Sequence, residues 1–338
     1  MRFVVYGAGA IGGVVAARLH QHGHDVTAIA RGPHLEAITT GGLRLQDPTG
    51  EQKVPLPAVP HPSALDWHGD EVVLLAVKSQ QTAQVLRDLG AVAPNDVPVV
   101  CLQNGIDNER QALRRFPNVY GVMVGLPAVH LEPGLVQAYS SPVTGILDIG
   151  RRPDGTDETA HATAAAFTSA GFDSRVFADI GRWKWRKLIT NLGNAIGAVC
   201  GSAARGSGLY RRAAAEADAC LAAAGTDVAT IEEDEGRRAG VLTMGDVAGA
   251  SHPGSSSWQS LARHSAEIET DYLNGEIVLL GRLQGVPTPV NAVLQRLANA
   301  LAANGGEPGS VDVTEVERLI EEESDARAPI ATTATGSA

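Results

Sequence analysis

Cysteine is scarce in this sequence: Cys101, Cys200 and Cys220 stand far apart and are odd in number. That excludes a disulfide framework, and the lack of any C-x-x-C pair removes the commonest zinc site, so a reducing compartment is expected. The ten histidines show no metal-ligand spacing. "HQHGH" (20–24) reads as a helix end around Gly23, and no metal is expected. No run of about 18 apolar residues occurs, and Met1 leads straight into "RFVVYGAG" with no basic stretch and apolar run before it. A cytoplasmic chain without membrane contact is therefore expected. Positive charge is also short: the net charge of −11 argues against nucleic acid, which needs a basic stripe. A small anion needs only one local basic pocket, so that class of ligand stays open.

What the chain does have is length, glycine and aliphatic side chains. At 338 residues it should form about two domains, and 44% hydrophobic with 19% charged residues is ordinary globular composition. The first half alternates β-rich runs with helical patterns. "FVVYG" (3–7), "DVTAIAR" (25–31), "EVVLLAVK" (71–78), "VPVVCLQN" (97–104) and "NVYGVMVG" (118–125) are apolar on both faces, as strands of a covered parallel sheet must be. Helices at about 10–22, 80–89 and 107–115 complete βαβ units and imply a doubly wound sheet.

Beyond residue 126, "PAVHLEPGLVQAYSS" and "VTGILDIG" suggest a short antiparallel excursion turning at Pro133-Gly134. A helix near 156–170 and a last strand "SRVFAD" follow, and β character then nearly vanishes. The expected division is a Rossmann-type domain over 1–179, an all-helical domain for substrate binding and dimerisation over 180–322, and a disordered tail over 323–338. The acidic run "EEDEG" (232–236) reads as a solvated helix end or loop.

"VVYGAGAIGG" carries Gly7-x-Gly9-x-x-Gly12 between an apolar strand and an amphipathic helix. With 38 glycines the motif alone is weak, and the strand–helix context gives it meaning. Gly7 permits the turn, Gly9 lets backbone approach a pyrophosphate, and Gly12 lets helix pack on strand. The loop Gly7, Ala8, Gly9, Ala10, Ile11 and Gly12 is thus a dinucleotide site, with the helix N-terminus facing the phosphates. NAD-binding folds usually end the second strand in an acid, but "DVTAIAR" ends in Arg31. A guanidinium suits a 2′-phosphate, so NADP(H) is the expected cofactor. Lys78 of "AVKSQQT" and Asn104 of "CLQNG" follow other strands at the edge where ligands of such sheets bind.

Those motifs, with "WRKLITN" (185–191) and "EIETDYLNGEIV" (267–278), resemble the ketopantoate reductases over roughly residues 1–300. The resemblance implies an NADP-dependent reductase with a Rossmann-type domain and a helical domain. It implies reduction of 2-dehydropantoate to pantoate, in pantothenate synthesis, with a 2-oxo acid as the partner molecule and a homodimer as a compatible assembly. By the same resemblance Lys187 is the catalytic lysine, Asn191 and Asn104 bind substrate, Glu269 positions substrate and lysine, and Ser257 meets the substrate carboxylate. Asn194 is a further substrate-binding candidate on the lysine helix. The chain departs from the family pattern at Ala195, Gly254 and Leu261, where the family carries two asparagines and an aspartate. Those departures fall on substrate-binding places, so the acceptor stays open. Two other readings keep the fold: an opine-type or imine-reducing dehydrogenase, and a non-catalytic NADP-binding regulator.

Overall fold

The computed structural model of the chain describes residues 1–250, 252 and 254–325. In chain order the described elements are β1 (Arg2–Tyr6), α1 (Ala10–Gln21), β2 (Val26–Ile29), α2 (Gly32–Gly41), β3 (Leu43–Asp47), β4 (Gly50–Val54), β5 (Ala58–Val59) and β6 (Glu71–Leu75). There follow α3 (Thr82–Gly90), β7 (Val99–Cys101), α4 (Asp107–Leu113), β8 (Val119–Gly125), β9 (Ala128–Val129), β10 (Leu135–Ala138), β11 (Ile146–Arg151) and α5 (Glu158–Ser169). The remainder is helical: α6 (Ile180–Asn191), α7 (Gly193–Cys200), α8 (Leu209–Ala223), α9 (Ile231–Arg238), α10 (Ser256–Ala262), α11 (Asn274–Gln284), α12 (Pro289–Ala303) and α13 (Val313–Asp325).

The main sheet has the order β11-β8-β7-β6-β1-β2-β5, parallel throughout except for β11, which runs antiparallel to β8. Alternate strand residues feed two cores. Phe3, Val5, Val72 and Leu74 pack on the side of α1 and α5. Val4, Tyr6, Val73 and Leu75 pack on the side of α3. Apolar residues on both faces of each strand are what a doubly wound sheet demands, and the sheet is of that class.

Several expectations are refined. In the excursion after residue 126, β9 and β10 pair antiparallel about the turn at Pro133-Gly134, but β10 also pairs in parallel with β3 in a second sheet, β4-β3-β10-β9, and "VTGILDIG" supplies β11 of the main sheet. Its β3–β4 hairpin turns at Asp47, whose Oδ1 accepts from the backbone N–H of Thr49 at 2.7 Å. "SRVFAD" forms no strand: it carries one isolated bridge beside β11, at Val176, and a second lies just before it at Asp173. The run "EEDEG" begins α9 behind a capping box of Thr230 and Glu233, with Asp234 buried. Of the tail expected from 323, residues 323–325 are helical in α13, and 326–338 lie outside the described residues.

The chain forms two compact units, Met1–Asn191 with Asp227–Gln259, and Leu192–Thr226 with the chain from Ser260 onward. The division expected at 180 is displaced because α6 is held by the sheet: the Lys184 ammonium donates to the backbone carbonyls of Gln103 (2.9 Å) and Val122 (3.2 Å). Likewise α9 joins the first unit through Arg237, which makes paired hydrogen bonds to Asp148 (2.8 and 2.6 Å) and reaches Asp173 at 2.6 Å. The second unit is helical. Glu216 of α8 accepts the backbone N–H groups of Val290 and Asn291 at 2.8 and 3.0 Å, which satisfies the free donors at the start of α12.

Candidate active site

The chain leaves β1 at Tyr6 and turns through Gly7, whose φ of +104° is the left-handed region that glycine alone enters freely. A Cβ at Gly12 would sit 2.0 Å from the carbonyl oxygen of Gly7 and 2.8 Å from the Ala76 side chain. Helix and strand therefore approach as closely as the motif requires. Around Gly9 the surroundings are different: a Cβ there would meet nothing within 4 Å. The space over Gly9, in front of the first N–H groups of α1, is free for a phosphate group, so the loop fits a dinucleotide.

His34 of α2 steadies this loop. Its Nε2 lies 2.7 Å from the Ala8 carbonyl, and its Nδ1 accepts the backbone N–H of Gly134 at 2.8 Å. Those partners require the neutral ring with its proton on Nε2. Burial lowers the pKa of His34 below its ordinary value, and the Ala8 hydrogen bond pulls the other way.

Arg31 follows β2, with a guanidinium 61% exposed. The acid that the second strand lacks arrives from α3: Asp88 Oδ2 lies 3.5 Å from Arg31 Nη2. The Tyr6 hydroxyl bridges them, accepting from Arg31 at 3.3 Å and donating to Asp88 at 3.5 Å.

Lys78 and Asn104 stand past the ends of β6 and β7, both half-buried, and a hydrogen-bonded lattice joins their two loops. The Gln103 amide donates to the Val77 carbonyl and the Thr82 hydroxyl, each at 2.8 Å. The Asn108 amide donates to the Ser79 hydroxyl at 3.1 Å and to the Asn104 carbonyl at 3.0 Å. Gly7, Arg31, Lys78 and Asn104 all follow strands that run parallel, which brings the loop, Arg31, Lys78 and Asn104 to one edge of the sheet.

On α6, Lys187 is half-buried and Asn191, one turn later, is buried. Burial lowers the pKa of Lys187; the Arg238 cation lowers it further, and Asp234 opposes both. Among the described residues, the buried Nδ2 of Asn191 has no hydrogen-bond partner. A buried donor left unpaired costs stability, so it is a place for an acceptor from outside the chain. Ser257 lies buried in α10 within the same unit.

Asn194 is not on the lysine helix. That helix ends at Asn191, and Asn194 stands in α7 of the second unit. Glu269 is also in the second unit, buried in a short 3-10 turn (Glu269–Tyr272) rather than on a solvated face. There it faces Arg263, whose pKa burial lowers and the Glu269 charge raises.

Sequence reasoning passed over Gln103, Asn108, Glu109 and Lys184, which brace the "QNG" segment, and Asp88 beside Arg31. The first lysine of "WKWRK" and the glutamate of "GIDNER" were the available signals.

A family profile described as "Ketopantoate reductase PanE/ApbA" matches residues 3–152, and its companion, "Ketopantoate reductase PanE/ApbA C terminal", matches 179–302. A 2-dehydropantoate 2-reductase of Pyrococcus horikoshii is 29% identical, covering 90% of this chain and 99% of that one. One of Halobacterium salinarum is also 29% identical, covering 90% and 100%. The crystal structure of a PanE/ApbA family ketopantoate reductase from Ralstonia eutropha superposes with a TM-score of 0.76, at 29% identity over 90% of this chain and 99% of that one. A D-mandelate dehydrogenase solved with NADH and anilino(oxo)acetate has a TM-score of 0.77 at 23% identity, over 90% and 99%, and shares the fold.

Proposed function

The chain belongs to the ketopantoate reductase family, and from that premise we propose that it reduces a 2-oxo acid to the 2-hydroxy acid with NADPH, 2-dehydropantoate being the first candidate. The backbone of Gly7, Ala8, Gly9, Ala10, Ile11 and Gly12 would hold the pyrophosphate, Arg31 the 2′-phosphate, and Lys78 and Asn104 would line the same edge. A cofactor held there would supply, from its nicotinamide, the hydride that reduces the carbonyl carbon. The carbonyl electron pair then falls on oxygen, and Lys187 Nζ–H donates the proton that makes it a hydroxyl. The lysine, left neutral, recovers a proton from water. Asn191 would donate its unpaired N–H to the substrate, with Asn194, Ser257 and Glu269 as further substrate-binding or positioning candidates.

The observation that carries this reading is the pair on α6: an amine that burial has shifted toward giving up its proton, one turn from a buried amide donor without a partner. A sensor of cofactor alone has no use for either. Oxidation of NADPH with a panel of branched and linear 2-oxo acids tests it, with 2-dehydropantoate expected to turn over fastest. Turnover that depends on an added amine would assign the imine reaction instead, and tight NADPH binding with no turnover on any acid would overturn catalysis.

A further inference from the structure

Three segments that are distant in sequence converge on Asp88, joined by a neighbour on its own helix. Its Oδ2 faces the guanidinium of Arg31 at 3.5 Å, the hydroxyl of Tyr6 at 3.5 Å and Nε2 of His61 at 3.8 Å. Its Oδ1 accepts the Gln84 amide at 2.6 Å. His61 is oriented for this contact, because its Nδ1 accepts the backbone N–H of Ser63 at 3.2 Å, which leaves the Nε2 proton on the side of the carboxylate. Asp88 is 18% exposed while Arg31 is 61% exposed, so the acid is the fixed member of the pair and the arginine the movable one.

We propose that Asp88 sets the cofactor selectivity of this site by competing with the 2′-phosphate for Arg31. The inference rests on Arg31 as the reader of that phosphate. In the structure the guanidinium is turned onto Asp88; to grip a phosphate with paired hydrogen bonds it has to give that partner up. Asp88 loses little when it does so, because Gln84, Tyr6 and His61 still face its oxygens. A cofactor without the phosphate makes no claim on Arg31 and leaves the ion pair intact. The carboxylate therefore taxes NADP(H) and not NAD(H). It is the counterpart, delivered from α3, of the acid that NAD-binding folds carry at the end of their second strand.

The test is equilibrium binding, independent of turnover: titration of the intact protein with 2′,5′-ADP and with 5′-AMP by calorimetry, and with NADPH and NADH by fluorescence. Asp88→Asn, which keeps the shape and an oxygen for Gln84, should tighten 2′,5′-ADP and NADPH about two- to five-fold, the range of a partly exposed ion pair. It should leave 5′-AMP and NADH unchanged. In an Arg31→Ala background the same Asp88→Asn change should have no effect on the ratio. An unchanged or lowered NADPH-to-NADH ratio in Asp88→Asn, with Arg31→Ala still selectively weakening NADPH, overturns the role of Asp88 and leaves that of Arg31 standing. If Arg31→Ala weakens both cofactors equally, Arg31 does not read the phosphate and the two ideas fall together. Persistence of the Asp88→Asn gain without Arg31 would overturn the competition, since the effect would then be repulsion alone.

Discussion

The Nζ of Lys184 lies 2.5 Å from Oε1 of Glu109, with both side chains almost wholly excluded from solvent. The ammonium also binds the carbonyls of Gln103 and Val122, so one buried cation ties α6 to the segment after β7 and to the middle of β8. It thereby fixes the helix that carries Lys187 against the segment that carries Asn104.

Removing one partner of such a pair strands a charge in the interior. Glu109→Ala should cost about 3–5 kcal/mol of stability. Replacing both, with Lys184→Met and Glu109→Leu, should recover much of that loss. Urea unfolding of the two variants beside the parent measures it; a Glu109→Ala variant as stable as the parent would show that the pair is not fixed as described.

Lys187→Ala should lower kcat by about 10²-fold or more while NADPH affinity is kept, since the glycine loop and Arg31 stand on other elements. Lys187→Arg should not restore the rate, because guanidinium gives up a proton too reluctantly. Asn191→Ala should raise KM more than it lowers kcat. Normal turnover of Lys187→Ala in steady-state assays would remove the lysine from the mechanism.

The proton donor must be charged to act, so the reduction should slow as pH rises through the Lys187 pKa, which lies below the ordinary lysine value. Arg238→Ala removes one of the causes that lowers it and should move this alkaline limb to higher pH. Asp234→Asn removes the opposing cause and should move it to lower pH. The pH profiles of kcat/KM check both directions, and a limb that neither change moves would belong to another group.

His34 offers a second pH test, of stability. Its folded pKa is lowered, so its contribution is complete above the unfolded histidine value of about 6.5 and is lost as pH falls through the folded value. Protonation would also cancel the Gly134 N–H bond to Nδ1. His34→Gln should flatten that part of the acid-side decline in melting temperature. An unchanged slope would show that the loss of stability comes from elsewhere.

The parts of the fold legible in the sequence were those with a continuous or periodic apolar signal. β1, β2, β6, β7 and β8 are buried on both faces and announce themselves, and the glycines after β1 mark the loop. β4 gives no such signal: Glu51, Gln52 and Lys53 are exposed, and only Val54 is buried. The turn signal of its hairpin, "QDPTGE", went unread; in the structure Asp47 caps that turn and Gly50 takes φ +138°. Of the proposed site, Lys187 and Asn191 could be placed together because their spacing is local to one helix. Asp88 was not, because α3 shows the charged outer face of any amphipathic helix and only the fold brings it to Arg31. Asn194 was misplaced on α6 because an interruption at Leu192 leaves almost no trace in an apolar helical pattern.

The two glycines Gly9 and Gly12 separate what a variant looks like from what it does. Gly9 has φ −71°, which alanine adopts without strain, and an added methyl there would touch no atom of the protein within 4 Å. A Gly9→Ala chain should therefore express, fold and melt like its parent while its methyl stands where the proposal puts the pyrophosphate. Gly12→Ala, with a methyl 2.0 Å from a carbonyl oxygen, should fail before any cofactor is offered. A survey of variants scored by abundance would flag the second allele and pass the first, although both would leave the cell without the enzyme.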